Sequence, residues 1–184
     1  EWGIAERWLT PIPGAGAGVA VSGKITSYNP NNPTTVELRQ GGAVKYTATI
    51  GADTGSGQQK QTFTFPAVAA DTYDLVVTKP GHLKYTVKNV TVGNAPLDLT
   101  KHTNAAISTI TLPAGDVNGD GTINSKELNE IWSPANYLKS TTDAGVNPLA
   151  DLNGDGTINS KDLNIVWKAE NYLKSEMTDA TVDY

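Results

Sequence analysis

Residues 116–140 read DVNGDGTINSKELNEIWSPANYLKS, and residues 151–175 read DLNGDGTINSKDLNIVWKAENYLKS. The two copies start 35 residues apart and are identical at 18 of 25 positions. Each copy begins with the pattern D-x-N-x-D-G and carries a carboxylate at its twelfth position. Self-similarity of this kind indicates a duplicated structural unit. The sequence therefore predicts two equivalent sites in the C-terminal part of the chain.

The residue types in each copy match a twelve-residue calcium loop. Calcium is a hard cation that takes roughly six to eight oxygen ligands, and such a loop supplies them at alternate positions around a glycine at position 6. Gly121 and Gly156 occupy that position. We therefore expect two Ca²⁺ ions. The expected ligands are Asp116, Asn118, Asp120, the carbonyl of Thr122, Asn124 and Glu127 in the first loop, and Asp151, Asn153, Asp155, the carbonyl of Thr157, Asn159 and Asp162 in the second.

The residues after each loop predict a helix that leaves it. Apolar residues recur there at helical spacing, and Ser125 and Ser160 are suitable N-caps. Pro134 should kink or restart the first helix, because proline lacks the N–H that a helix interior needs. The second copy has Ala169 at the equivalent position, so its helix is expected to run unbroken to Leu173.

An ordinary EF-hand has a further helix before its loop, but residues 110–115 read ITLPAG, which is typical of a strand and a turn. A calcium sensor also needs a methionine-rich groove, and this chain has one methionine. Each repeat is therefore a loop followed by a helix, and the sensor class is excluded. Ile123 and Ile158, at loop position 8, are expected to join the paired loops through a short β bridge.

The sequence before the repeats predicts strands. Short stretches rich in Val, Thr, Ile and Tyr alternate with turn residues, and several alternate apolar with polar positions. About seven strands at this spacing favour a small antiparallel sandwich of the immunoglobulin-like type. The predicted strands are residues 19–28, 34–40, 43–50, 59–68, 72–79, 83–92 and 106–112.

Acidic residues are concentrated in the repeats. Residues 1–115 carry nine Lys or Arg and seven Asp or Glu, whereas residues 116–184 carry five and twelve. This shift supports a division into two domains. No basic stripe is present, so nucleic-acid binding is not expected. No apolar run approaches the roughly 20 residues of a membrane helix, so a membrane partner is not expected either.

No residue pattern indicates catalysis. The chain has no cysteine, which excludes disulfides and thiolate metal sites, so its stability should come from packing or from hard metal ions. His82 and His102 stand alone in the sequence, and a lone histidine is more often a surface or capping residue than a catalyst. We therefore expect no enzyme activity, and we interpret the β domain as a spacer or stabiliser.

Two calcium loops with exiting helices and a joining segment at 140–150 resemble a dockerin, a module that attaches cellulosomal enzymes and scaffoldins to cohesin domains. The resemblance covers about residues 115–184. The preceding domain is similar to the X-module found before some dockerins, on the stretch TYDLVVTKPGHLKYTVKNVTV at residues 72–92. The resemblance implies a cohesin partner on a scaffoldin or cell-surface protein, a monomer when free, and an extracellular location in a cellulosome or at the cell surface.

The resemblance also implies which residues contact the cohesin, namely loop positions 10 and 11 and helix positions 17, 18 and 22. For the tryptophans, core packing is an equally good interpretation. Many dockerins carry Lys-Arg at positions 17 and 18, so the Trp-Ser and Trp-Lys pairs here leave the cohesin type open and suggest a more apolar interface. The implied residues are Ser125, Lys126, Trp132, Ser133 and Tyr137 in the first copy, and Ser160, Lys161, Trp167, Lys168 and Tyr172 in the second.

The near-identity of the copies suggests that either helix could face the cohesin, with the module rotated by about 180° between two modes. The differences Ser133/Lys168 and Pro134/Ala169 break this symmetry and could favour one mode.

The expected architecture has two domains. Residues 1–18 form a linker or the end of an upstream element, residues 19–112 an all-β immunoglobulin-like X-module, and residues 113–184 a small all-α dockerin. The expected function is non-catalytic, calcium-dependent docking to a cohesin. One alternative is the anchoring fragment of a glycoside hydrolase or other plant-polysaccharide enzyme with its catalytic domain upstream. Another is a calcium-stabilised adhesion repeat without a cohesin partner.

Overall fold

A computed structural model describes residues 17–175 and 181–184. The linker expected at residues 1–18 therefore lies outside the described residues, apart from its last two. Two β-sheets face each other across a shared core. The first contains β4 (Gln58–Val68), β1 (Val19–Tyr28), β8 (Leu97–Asp98) and β9 (Ile110–Thr111). The second has the order β11 (Thr181–Asp183), β7 (Tyr85–Val92), β5 (Asp71–Thr78), β2 (Thr34–Gln40) and β3 (Ala43–Ile50).

Alternation along the strands places apolar side chains between the two sheets. In β1, Val21, Gly23 and Ile25 are buried while Ser22 and Lys24 are partly exposed. In β2, Val36 and Leu38 are buried and Glu37 between them is partly exposed. Side chains on successive strand residues point to opposite faces, so this pattern buries one face of each sheet. The expected β-sandwich is present, and six predicted strands appear close to their predicted positions.

The seventh predicted strand, at residues 106–112, is wrong in its first half. Ala105–Ser108 form a single helical turn, α1, and only Ile110–Thr111 are extended. The Asn104 side chain accepts a hydrogen bond from the Ala106 N–H and caps this turn. The apolar residues of this segment are typical of a strand. The cap, however, satisfies backbone hydrogen bonds locally and so favours a helical turn over strand pairing.

The expectation of an all-α dockerin is also wrong. Strands hold 42% of the structure and helices 15%. After the sandwich, the α-helices of the described residues are α2 (Ser125–Trp132) and α3 (Ser160–Val166), each about two turns long. Strands β10 (Ala114–Asp116) and β11 lie in the same C-terminal part of the chain. The region is mixed because short loops and bridges, rather than long helices, hold the repeats together.

The helix boundaries differ from those predicted. The N-caps are Asn124 and Asn159, one residue before the expected serines, and each forms a capping box with the acidic residue at loop position 12. The second helix ends at Val166 instead of continuing to Leu173, although no proline interrupts it. Leu173 has φ +62, a left-handed conformation that a helix cannot contain.

The two repeats are connected crosswise. The Ile123 N–H donates to the carbonyl of Lys174, and the Leu173 N–H donates to the carbonyl of Ile123, both over 2.8–2.9 Å. Ile158 makes the same reciprocal bonds with Lys139 and Leu138. Each loop therefore pairs with the segment that follows the other repeat's helix, and the predicted direct bridge between the two loops is wrong. Leu138 and Leu173 therefore lie outside the helices, and their N–H groups bond to the other repeat's loop.

The repeats and the sandwich share one continuous hydrophobic core. It extends from Phe65 and Leu83 in the β domain to Ile123, Ile131 and Val166 in the repeats. Strand β10 pairs antiparallel with β6 (Gly81–His82), and β11 pairs parallel with β7. Within the described residues, none of the helices has the length and apolarity that crossing a membrane requires.

Candidate metal centres and exposed aromatic surface

The first loop wraps its backbone around the carboxylate of Asp116. The N–H groups of Gly119, Asp120 and Gly121 donate to this carboxylate over 2.9, 3.1 and 3.1 Å. Gly121 has φ +79, which glycine adopts at little cost and other residues rarely do. Position 1 is therefore fixed by the turn that the D-x-N-x-D-G pattern predicts.

The carboxylates at positions 1, 5 and 12 converge in the first loop. Asp116, Asp120 and Glu127 each bring an oxygen within 4.8 Å of the others. The side chain of Glu127 is fully buried, accepting from the Asn124 N–H over 2.6 Å and from the Asn118 side chain over 2.5 Å. Burial raises the pKa of Asp116 and of Glu127. Buried carboxylates that meet at one point favour a cation between them.

The second loop repeats this geometry. The Asp151 carboxylate accepts from the N–H groups of Gly154, Asp155 and Gly156 over 2.9, 3.2 and 2.8 Å. Asp162 at position 12 is fully buried and accepts from the backbone N–H of Asn159 and Asn153. Burial raises the pKa of Asp162 to about 6. Among the described residues, only the first loop brings three acidic side chains within 4.8 Å.

A lysine at position 11 pairs with the position 5 carboxylate in both loops. Lys126 lies 3.0 Å from Asp120, and Lys161 lies 3.0 Å from Asp155. The hydrogen bond from Lys126 lowers the pKa of Asp120. Burial alone would raise the pKa of Asp155, but hydrogen bonds from Lys161 and from the Thr157 N–H outweigh it, and the pKa is lowered. The position 5 carboxylates are therefore charged at neutral pH.

The donor set of both loops fits a hard divalent cation. Carboxylate, amide and carbonyl oxygens are what Ca²⁺ prefers, and neither loop contains histidine, cysteine or methionine, the softer ligands. Asn124 and Asn159 at position 9 also cap the helices, so their side-chain oxygens accept from the N–H groups of Lys126 and Lys161. A bound ion would neutralise the buried carboxylates and stabilise the loop.

Both tryptophans of the repeats are on the surface. Trp132 is 61% exposed and Trp167 is 57% exposed, so core packing is not their role. Each ring lies against a tyrosine of its own repeat, Trp132 on Tyr137 at 4.5 Å between centroids and Trp167 on Tyr172 at 4.6 Å. Both tyrosines are half-buried, so each repeat presents one exposed tryptophan lying on a partly covered tyrosine.

Two leucines of the repeats are also exposed, which the sequence did not predict. Leu138 is 72% exposed and Leu173 is 68% exposed, although helical spacing had assigned both to the apolar face. Their left-handed backbone turns them away from the core. The sequence did contain one indication of this, because the leucine follows the tyrosine in both copies. A leucine that is exposed in both copies of a duplicated unit suggests a contact with a partner.

The other residues expected at the partner surface have different environments. Ser125, Lys126, Ser160 and Lys161 are exposed at the starts of the two helices, where Ser125 and Ser160 are the first helical residues. Ser133 is half-buried. Lys168 is exposed, but its ammonium group donates a hydrogen bond to the Tyr28 hydroxyl.

Two buried asparagines support the repeats and were not singled out in the sequence. The Asn136 side chain donates to the carbonyl of Glu130 and accepts from the Asn147 N–H. The Asn171 side chain donates to the carbonyl of Ile165 and accepts from the Ala114 N–H. Each asparagine thus closes the end of a helix and ties it to another segment.

Comparison with known proteins agrees with this architecture. Residues 114–171 match the family model of the dockerin type I domain. No protein with a curated description matches the chain.

Two solved structures from Acetivibrio cellulolyticus are similar, an N-terminal and a C-terminal interface mutant of a type II cohesin–X-dockerin complex. The TM-scores are 0.63 and 0.64, with 29% sequence identity in both, over 87% of this chain and 99% of theirs. The repeats are therefore a dockerin module, and the β domain before them corresponds to an X-module.

Proposed function

We propose that this chain is a non-catalytic, calcium-dependent docking unit that binds a cohesin domain and anchors its parent protein in an extracellular, cellulosome-type complex. The solved relatives are complexes of cohesin with an X-dockerin, which supports a cohesin as the partner. Both are type II complexes, so we propose type II cohesins as the first partners to test.

The matched exposed surface of the two repeats carries this proposal. Each repeat presents a tryptophan and a leucine that are more than half exposed. We propose that they form an apolar patch, a feature that marks interaction sites on protein surfaces. Aromatic side chains bury a large area for little loss of rotamer freedom, so they are favoured at the energetic centre of interfaces. We propose that Ser125, Lys126, Ser160 and Lys161, which start the helices, form the polar rim of the same surface.

We propose that calcium acts here as a structural ion in both loops. The ligands would be the acidic and asparagine side chains of loop positions 1, 3, 5 and 12, together with the carbonyls of Thr122 and Thr157. Without a cation, two fully buried carboxylates, Glu127 and Asp162, would remain uncompensated. Such groups cost stability. The helices that begin at each loop would then lose their positions relative to one another.

We propose that the β domain, residues 19–112, stabilises the dockerin, residues 113–184, rather than only separating it from the rest of the protein. The shared core and the pairing of β10 with β6 and of β11 with β7 support this role. Because the two repeats offer equivalent aromatic surfaces, we also propose two modes of cohesin binding related by a rotation of about 180°.

Calorimetric titration of the chain with type II and type I cohesins, in calcium and in EDTA, tests the function. We expect binding in calcium only. Trp132→Ala and Trp167→Ala should each weaken one mode, and the double variant should lose about 30-fold or more in affinity. Val44→Ala, at a residue that is 47% exposed on the β domain, is the control and should bind normally. If the double variant binds like the wild type, the aromatic surface is not the docking site.

A further inference from the structure

The β domain donates three hydrogen bonds to the backbone of the second calcium loop. The Asn29 side chain donates to the carbonyl of Asp151 over 3.1 Å, and the Asn31 side chain donates to the carbonyl of Gly154 over 2.9 Å. The Gly57 N–H donates to the carbonyl of Asn153 over 2.6 Å. Loop positions 1, 3 and 4 are therefore all held from outside the repeat.

The donors are themselves fixed within the β domain. The Asn29 N–H donates to the carbonyl of Gly57, and the Asn29 side-chain oxygen accepts from the Asn31 N–H. The Asn31 side chain also donates to the carbonyl of Gly55. Asn29 is 8% exposed and has φ +55, a conformation that asparagine tolerates better than most residues. The turn that contains Asn29 and Asn31 and the turn that contains Gly55 and Gly57 are therefore joined to each other, and together they support the second calcium loop.

The first loop has a different environment at the equivalent place. A methyl group added at Gly154 would clash with the Asn29 side-chain oxygen and would lie 2.8 Å from the Asn31 side-chain nitrogen. A methyl group added at Gly119, the matching residue of the first loop, would have no atom within 4 Å apart from its own chain neighbours. The first loop meets the β domain at its position 1, where Asp116 pairs with Gly81. Two loops of nearly identical sequence are thus covered differently.

We propose that Asn29 and Asn31 are positioning residues for calcium in the second loop, so that ion binding at this loop depends on the β domain. This inference rests on the calcium binding in the proposed function. Ordering a loop backbone costs conformational entropy. Hydrogen bonds that fix positions 1, 3 and 4 beforehand remove part of this cost from ion binding. Because coupling of two binding equilibria is reciprocal, calcium in the second loop also strengthens the contact between the domains.

Calcium titration of the ¹⁵N-labelled full chain by NMR tests the inference. The amides of Gly121 and Gly156 report on the two loops separately, because each donates to the position 1 carboxylate of its own loop. The variant carries Asn29→Gly, which keeps the left-handed backbone, and Asn31→Ala. We expect the second loop to lose about tenfold in calcium affinity, as for other changes to groups behind metal ligands. The first loop should stay within about twofold of the wild type.

Gly154→Ala and Gly119→Ala form a matched pair for the same test. Their φ values are +75 and +74, so the backbone strain of the added methyl group is equal in the two loops. Only Gly154→Ala displaces the asparagines, and we expect it to weaken calcium binding to its own loop about tenfold more than Gly119→Ala does. Asn31→Ala alone, at an exposed residue, repeats the test if the double variant does not fold.

Three outcomes would contradict the inference. Equal weakening in both loops would mean that the asparagines act on overall stability, and unchanged affinity in the second loop would mean that the contact does not support it. If neither glycine amide of the wild type responds to calcium, the inference falls together with the calcium dependence of the proposed function. In the first two outcomes the wild type binds calcium, so the proposed function stands.

Discussion

The ammonium group of Lys168 lies 2.6 Å from the hydroxyl oxygen of Tyr28 and 5.3 Å from the centre of its ring. The hydrogen bond from Lys168 to Tyr28 raises the pKa of the lysine. The equivalent residue of the first repeat is Ser133, which cannot reach as far. At this position, therefore, only the second repeat contacts the β domain. The two nearly identical repeats thus have different environments.

A double-mutant cycle between Tyr28→Phe and Lys168→Met measures this tie. We expect a coupling energy of about 0.5–1 kcal/mol in the free energy of unfolding, because the lysine is largely exposed and water screens the interaction. The measurement is urea unfolding at saturating calcium. Lys139→Met, at an exposed lysine of the first repeat, is the control and should show no coupling with Tyr28→Phe. Zero coupling for Lys168 would remove this contact as a source of asymmetry.

Asn171→Ala should destabilise the chain by about 2–3 kcal/mol. The substitution removes the partner of the N–H of Ala114, a fully buried residue, and an unsatisfied buried group costs more than a lost surface bond. It also removes one of the donors to the carbonyl of Ile165, which keeps its hydrogen bond from the Lys168 N–H. Chemical denaturation in calcium measures the change. Asn129→Ala, at an exposed position of α2, is the matched control and should stay within about 0.5 kcal/mol of the wild type. A similar small effect for both would show that Asn171 does not hold β10 against the second repeat.

The local features of this molecule could be predicted from its sequence. The loop turns follow from glycine and aspartate at fixed positions, and the strands follow from alternation of apolar and polar residues. In both cases the residues that determine the conformation are close in sequence. The mixed architecture of the repeats could not be predicted in the same way, because Ile123 pairs with Lys174, some fifty residues further along the chain.

The same limit applies to the surface. Helical spacing assigned Leu138 and Leu173 to the apolar face, but both lie beyond the ends of their helices. Their N–H groups pair with the other repeat's loop, and their side chains are exposed. The support of the second loop by Asn29 could not be predicted either, because the hydrogen bond joins residues 122 positions apart. Only a tertiary structure brings such residues together.

His82 should make the chain less stable as the pH falls from about 6.5 to 4. Its Nε2 accepts from the Tyr28 N–H over 3.0 Å, so its Nδ1 is the nitrogen that donates, to the carbonyl of Pro80 over 2.8 Å. The protonated ring would place an N–H against the Tyr28 N–H. Burial lowers the pKa of His82 from 6.5 to about 4. This corrects the expectation of a surface or capping histidine.

The direction of this pH dependence follows from which state of the chain, folded or unfolded, binds more protons. Below pH 6.5 the unfolded chain protonates this histidine while the folded chain does not, so the stabilising contribution is present above pH 6.5 and is lost as the pH falls through 4. The full loss is about 3 kcal/mol. We expect the difference in unfolding free energy between the wild type and His82→Gln to shrink by this amount between pH 7 and 4, measured in EDTA. A difference that does not change with pH would show that His82 is not buried in the neutral form in solution.

Removal of residues 181–184 should both destabilise the chain and promote its association. Val182 of β11 pairs with Val87 of β7, and the Tyr184 N–H donates to the carbonyl of Lys88 over 2.9 Å. The ring of Tyr184 also lies 4.7 Å from that of His102. We expect the truncated chain to lose about 1–3 kcal/mol in unfolding free energy. It should also become prone to concentration-dependent association, because β7 would become an unprotected edge strand.

Thermal unfolding and light scattering over a range of protein concentrations measure the two effects of this truncation. Tyr184→Ala is the control that keeps β11 but removes the ring contact with His102, and it should lower the stability by less and leave the chain monomeric. Because β11 returns from the end of the second repeat to the β domain, its loss should also let the two domains unfold in separate steps. A truncated chain that stays monomeric and unfolds in one step would show that the pairing of β10 with β6 and the shared core join the domains without β11.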